Sequence, residues 1–298
     1  MSNKNILIQN GHIVNSKGIS KQDILIKNGK IDLIGEIPSS NTFHIIDATN
    51  KYIFPGIIDP QVHFRDPGLT HKEDLRTGSM AAAAGGVTTF FEMPNTKPAT
   101  TTIKKLMDKY DTASKKSIVN YSFFFGATTD NIDEIKKLKG NCGLKIFMGS
   151  STGDLLVDND EALENIFACC DRVIAVHAED EQTLIESSKF IEGEDFSNHT
   201  KARPVEAAVR ATEKAIKLAL KYNRKLHVLH LSTAEEVIMI RKLKSTGLIT
   251  CETTPQHLLM EAPDIYNKIG AFAQMNPPIR SKRHKEELWK GLLDGTIN

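Results

Sequence analysis

From Ile57 onward the chain alternates short apolar runs with longer stretches of helical periodicity, and that rhythm leaves few folds open to it. Seven runs read as strands: Gly56 to His63, Thr88 to Met93, Tyr121 to Ala127, Gly143 to Met148, Val173 to Ala178, Lys225 to Ser232 and Ile249 to Thr254. The clearest helix between them is Val205 to Lys221, where Val205, Ala208, Val209, Thr212, Ala215, Ile216 and Ala219 keep a three-four spacing. A last helix spans Lys282 to Leu293 and ends at Asp294-Gly295. Repeated βα units of this kind form a (β/α)₈ barrel or an open doubly wound sheet. No Gly-x-Gly-x-x-Gly follows any strand, which removes support for a nucleotide-binding open sheet. Seven strands are one short of a barrel, so the expectation is a barrel that stops before its eighth strand. Its first and seventh strands would then expose unpaired edges and make the chain poorly soluble or only marginally stable.

Residues 1–54 have a different texture. Asn5-Ile6-Leu7-Ile8, Asp23-Ile24-Leu25-Ile26 and Phe43-His44-Ile45-Ile46 read as short strands, and Asn28-Gly29 is a hairpin signal. The expected domains are a small β-sandwich over 1–54, incomplete without further strands, and a truncated barrel over 55–298.

Composition narrows the function. Thirty-eight Lys+Arg against 37 Asp+Glu give a net charge of +1, which points away from nucleic acid as the main partner. The four cysteines, Cys142, Cys169, Cys170 and Cys251, form no C-x-x-C pair and are too few for a disulfide scaffold in 298 residues. No run of 18 apolar residues and no signal-like opening occur, so the expectation is a cytoplasmic protein without membrane contact.

Potential metal ligands fall at strand ends. His63 ends the first strand, Lys145 sits in the fourth, His177 ends the fifth and His230 ends the sixth. In a parallel barrel the C-terminal strand ends form one open face, so these four can converge. Any one of these histidines taken singly reads as a hydrogen-bonded strand-end residue; three at equivalent positions favour a metal, since imidazole suits Zn²⁺, Fe²⁺ and Ni²⁺ alike. Lys145 in an apolar strand faces a large desolvation cost unless paired or neutral. Residue chemistry alone favours a carboxylate partner; the alternative is a neutral amine that reacts with CO₂ to give a carbamate, an anionic metal-bridging ligand. His227 alternates in phase with Leu229 and is expected to face away, in core packing or in support of a ligand. His257, past the seventh strand, fits a structural or a functional role equally well.

The run Asp59-Pro60-Gln61-Val62-His63-Phe64-Arg65-Asp66-Pro67-Gly68, then Gly85-Gly86-Val87-Thr88-Thr89 and Met93-Pro94-Asn95-Thr96, resembles the signature of the dihydroorotases of the amidohydrolase superfamily (class I-like). Val176-His177-Ala178-Glu179-Asp180, His230-Leu231-Ser232-Thr233, Thr254-Pro255-Gln256-His257-Leu258 and Met275-Asn276-Pro277-Pro278-Ile279-Arg280 are similar to later motifs of that family, in order. The resemblance implies a (β/α)₈ TIM-like barrel of the amidohydrolase type with a small β domain. It further implies one or two zinc ions and the reversible hydrolysis of dihydroorotate to N-carbamoyl aspartate in pyrimidine biosynthesis. By it His63, Lys145, His177 and His230 are metal ligands, with Lys145 carbamylated, and Arg65, Asn95 and Asn276 hold the substrate's carboxylate and ring. A guanidinium suits a carboxylate, and amides suit a cyclic imide-like ring. Two departures stand out. Gln61 occupies the position of the first histidine of the family's His-x-His, and an amide is a weaker ligand. The family's catalytic Asp, on strand eight, would follow Asn298, so no catalytic acid or base is expected within the chain and turnover is expected to be impaired. The partners implied are small-molecule substrates and another copy of the chain. The competing readings are a hydantoinase or allantoinase, and a non-catalytic subunit supporting aspartate transcarbamoylase.

Overall fold

In the computed structural model, which describes residues 5–149, 155–189, 191, 193 and 195–298, the N-terminal segment folds into short strands that include the hairpin expected from the sequence. These are β1 (Asn5–Gln9), β2 (His12–Asn15), β3 (Gly18–Lys21), β4 (Asp23–Lys27), β5 (Lys30–Gly35), β6 (Phe43–Asp47) and β7 (Tyr52–Ile53). They form two small sheets, β5-β4-β1-β6 and β3-β2-β7. The hairpin falls at Asn28-Gly29, with φ of 51° and 73°, the positive pair that a type I′ turn requires. It sets Lys27 opposite Lys30. Leu7, Leu25 and Ile37 make the buried core of this part.

The chain divides into two compact units, Met1–Ile58 with Ala84–Thr89, and Asp59–Ala83 with Phe90–Asn298. The large sheet holds seven strands in chain order: β8 (Ile57–Val62), β9 (Val87–Glu92), β10 (Asn120–Gly126), β11 (Gly143–Phe147), β12 (Ile174–His177), β13 (Leu226–Val228) and β14 (Ile249–Cys251). Neighbours from β10 to β14 pair in parallel. The helices are α1 (Leu75–Ala84), α2 (Ile103–Lys116), α3 (Ile132–Ile135), α4 (Asp160–Cys169), α5 (Glu181–Ser188), α6 (Asn198–Ala202), α7 (Val205–Tyr222), α8 (Ala234–Arg241), α9 (Pro255–Leu259), α10 (Asp264–Ile269) and α11 (Lys282–Leu293). The chain thus holds a parallel βα half-barrel of the TIM type and a small N-terminal sheet domain. Several helices start where the sequence supplies a cap: Thr102, Asn159, Asp180 and Thr233 each accept a hydrogen bond from the first turn.

Each expected barrel strand is present, and β8 and β14 are the outermost strands of the sheet. The two last strands are shorter than expected, three residues each, because the chain leaves the sheet before His230 and Glu252. In α7 the buried stripe also differs from the expected one. Ala207 and Ala211 are buried while Val205 and Val209 are half-buried, so alanines set the packing surface.

The two faces of the strands are chemically distinct. Phe123, Phe125, Leu144, Ile146, Ile174 and Val176 point to the helices and share one core with Phe167 and Ile216. On the opposite face Met93, Phe124, Ala175 and Leu229 form a small separate cluster. Register puts Lys145 opposite Ala175 and Phe147 opposite His177, and places His227 beside Ala175. The expectation that His227 faces away from His230 is therefore overturned. Strand alternation holds only to Val228, and His230, with φ of 39°, turns back to the same side.

Candidate active site

The first group of site residues is assembled where β8 ends. His63 Nδ1 lies 2.8 Å from Asn95 Oδ1. An amide oxygen only accepts, so the imidazole proton sits on Nδ1 and the Nε2 lone pair stays free. Arg65 Nη1 donates to the Asn95 carbonyl at 3.2 Å, tying the same segment to the strand-one loop. Arg65 holds φ at 65°, and Gly68 follows at 90°, where a Cβ would collide with the Lys97 carbonyl; only glycine fits that approach. Burial, then the charges of Arg65 and Lys145, push His63 down to about 3, so it is a neutral base at physiological pH.

The second group stands on the fourth to sixth barrel strands. Lys145 is 1% exposed on β11, and among the described residues its Nζ has no hydrogen-bond partner. The Phe147 ring, 4.5 Å from Nζ, is a weak substitute. Burial holds this amine well below the ordinary lysine value, opposed by the charge of Glu252. His177 Nδ1 and His230 Nε2 approach to 3.0 Å with the rings edge to face. His230 Nδ1 is buried without a hydrogen-bond partner among the described residues, and burial, followed by His177 and Lys145, drives the ring well below the ordinary histidine value.

Glu179, two residues past the end of β12, completes this cluster. Its Oε2 takes the hydrogen bond of His177 Nε2 at 2.6 Å, and Arg203 clasps both carboxylate oxygens. Burial opposes its ionisation, but His177 and Arg203 outweigh that and hold it at about 2.

A cavity of about 600 Å³ joins the groups, lined by Asp59, Gln61, His63, His230, Glu252 and Asn276 among others. The structure thus brings Gln61, His63, His230 and Asn276 to one space. His177 is attached to it through His230, Asn95 through His63, and Arg65 through Asn95. Among the described residues no three His, Cys, Asp or Glu side chains form a ready metal cluster. His63, Lys145, His177 and His230 are nitrogen donors, and burial disfavours the charged form of each, which suits a soft or borderline cation. The donor set and the orphaned Lys145 amine fit zinc and a carbamate.

Some functional positions escaped the sequence. Glu252 lines the cavity and accepts from His227 Nε2 at 3.1 Å, while His227 Nδ1 meets Thr250 Oγ1 at 2.8 Å. Burial and then the Glu252 charge raise the Asp59 carboxyl, against the pull of the Gln61 N–H at 3.0 Å. Glu179 could have been found from its place two residues after a strand-end histidine; Arg203 carried no signal. His257, left open above, is structural: Nδ1 meets Thr254 Oγ1, the cap of α9, at 2.8 Å and Nε2 meets the Pro277 carbonyl at 3.1 Å.

The chain is 39% identical to a dihydroorotase of Methanosarcina acetivorans, over 98% of this chain and 65% of that protein. It is 35% identical to an allantoinase of Bacillus velezensis, over 98% of this chain and 67% of the relative. Among solved structures, L-hydantoinase from Arthrobacter aurescens aligns with a TM-score of 0.93 and 32% identity, covering 98% of this chain and 67% of that one. The chain therefore spans about two thirds of the length of the relatives it matches. The amidohydrolase family pattern matches residues 52–275, and the chain belongs to that family.

Proposed function

We propose that this chain carries a dihydroorotase site, for the reversible hydrolysis of the cyclic amide of dihydroorotate to N-carbamoyl aspartate in cytoplasmic pyrimidine biosynthesis. The observation that carries the reading is Lys145 Nζ, buried without a hydrogen-bond partner among the described residues, on the face that also bears His177 and His230. A neutral amine there is free to add CO₂. His63, His177, His230 and the carbamate of Lys145 would hold one or two zinc ions, with Gln61 a weak addition. Bound zinc supplies Lewis acidity toward the ring carbonyl and makes water a nucleophile near neutral pH.

The chain's own residues bind and orient. Arg65 offers a charged, forked donor for the substrate carboxylate, and Asn95 and Asn276 offer amides to the ring. A carboxylate-bearing ring separates dihydroorotate from hydantoin and allantoin, which lack that anion. The allantoinase and hydantoinase likenesses favour the second reading, another cyclic amidohydrolase. Gln61 in the cavity favours a third, a supporting subunit beside aspartate transcarbamoylase, which predicts weak zinc binding.

The test is calorimetric binding with zinc and bicarbonate present, comparing dihydroorotate, carbamoyl aspartate, hydantoin and allantoin. The first two should bind in preference, and Arg65→Met should weaken them roughly 10- to 100-fold, the loss of one or two charged hydrogen bonds. Equal or tighter binding of hydantoin or allantoin sinks the assignment in favour of the second reading.

A further inference from the structure

We propose that Glu179 and Arg203 are a positioning pair for His177, fixing its tautomer so that Nδ1 keeps its lone pair for a metal ion. The inference rests on the metal reading above but concerns residues to which that reading gives no part. Arg203, just past the end of α6, donates from Nε to Glu179 Oε1 at 3.0 Å and from Nη2 to Oε2. Both carboxylate oxygens are thereby acceptors, and Oε2 meets His177 Nε2 at 2.6 Å. Between an acceptor-only oxygen and a ring nitrogen, the proton belongs to nitrogen. Nε2 of His177 is the protonated position and Nδ1 the free base, and Nδ1 is the atom that faces His230 Nε2 at 3.0 Å.

The pair is itself held in place. Arg280 Nη1 donates to the Arg203 carbonyl, and Arg280 Nε reaches Ser232 Oγ at 3.3 Å. Gly149 packs so closely that a Cβ would collide with the Glu179 carbonyl. Glu179 is fully buried, so this carboxylate has no solvent to fall back on. A ligand histidine whose second nitrogen is fixed by a carboxylate is oriented and more basic, which is worth roughly 10- to 100-fold in metal affinity.

Two measurements on the full chain test it. In the metal-free wild type, two-bond ¹H–¹⁵N histidine spectra, assigned by loss of signals in His177→Asn, should show His177 protonated at Nε2; protonation at Nδ1 overturns the proposal. In Co²⁺ titrations followed by visible absorption, Glu179→Gln, whose amide can offer Nε2 a donor, should weaken binding about 10- to 100-fold with a folded circular-dichroism spectrum. Arg203→Met should follow it and Arg203→Lys should recover part of the affinity. Wild-type affinity in folded Glu179→Gln overturns the positioning role alone. Absence of Co²⁺ uptake by the wild type overturns the metal reading and this proposal with it. Should Glu179→Gln fail to fold, the wild-type tautomer decides.

Discussion

Two lysines of the barrel unit are equally hidden, and their surroundings could hardly differ more. Lys109, on α2, is 2% exposed; its Nζ lies 2.9 Å from Glu92 Oε2, donates to the Met93 carbonyl at 3.1 Å and stands 4.9 Å from the centre of the Phe123 ring. Lys145, on β11, is 1% exposed and has no hydrogen-bond partner for its Nζ among the described residues. Burial lowers both amines, but at Lys109 the Glu92 charge pulls back toward the ammonium, whereas Lys145 feels only the more distant Glu252. A buried lysine with a carboxylate is part of the frame. One without a carboxylate is the group to which the proposed function gives chemistry.

The sharpest way to break this comparison is to remove each amine. Lys109→Met leaves Glu92 buried without its counter-charge, and breaking such a pair costs about 3–5 kcal/mol. Urea melts should show that loss, and Lys109→Met/Glu92→Met should recover much of it because both buried charges are then gone. A single mutant as stable as the wild type would mean that Lys109 is not holding the α2–β9 packing.

Lys145→Met should do the opposite. No ion pair is lost, the methionine fills similar space, and the urea midpoint should stay within about 1 kcal/mol of wild type or rise. Zinc uptake in bicarbonate buffer should fall by more than about 100-fold, beyond what loss of an orienting partner costs. Unchanged zinc affinity would put Lys145 among the structural residues with Lys109.

How much of this was legible beforehand follows from the same contrast. The strand ends carrying His63 and His177, the odd lysine in Gly-Leu-Lys-Ile-Phe-Met and the Asn28-Gly29 hairpin are local patterns, and the fold places them as local rules predict. What failed depended on where strands stop. The orientation of His227 was counted by alternation through residues that are no longer strand, and His230 returns to the inner face by a positive φ that periodicity does not encode. Arg203 was invisible because its link to Glu179 spans 24 residues. Its neighbours in the sequence give no hint of a buried carboxylate. Asn95 and Arg65 were read as substrate ligands; their contacts here are with His63 and with each other, a prior task of holding the site's first base.

His257 supplies a third case, buried like the lysines and, unlike Lys145, bonded at both ring nitrogens. Burial pushes it down to about 4, partly resisted by the Pro277 carbonyl. In the unfolded chain the ring titrates near its ordinary 6.5. Between about 6.5 and about 4 the unfolded state therefore takes up the proton first, so stability is full above that window and is lost as pH falls through it. The contribution is on the order of 1–3 kcal/mol. His63 acts in the same direction down to about 3, while buried Glu236, raised by its burial, opposes these at the acid end. The melting temperature of the wild type should fall from pH 7 to pH 5. In His257→Gln, which keeps a donor and an acceptor at α9 without a titrating ring, it should fall less. Equal slopes would show that His257 is solvated and charged in the folded chain. Its partnered, neutral state would then no longer separate it from Lys109.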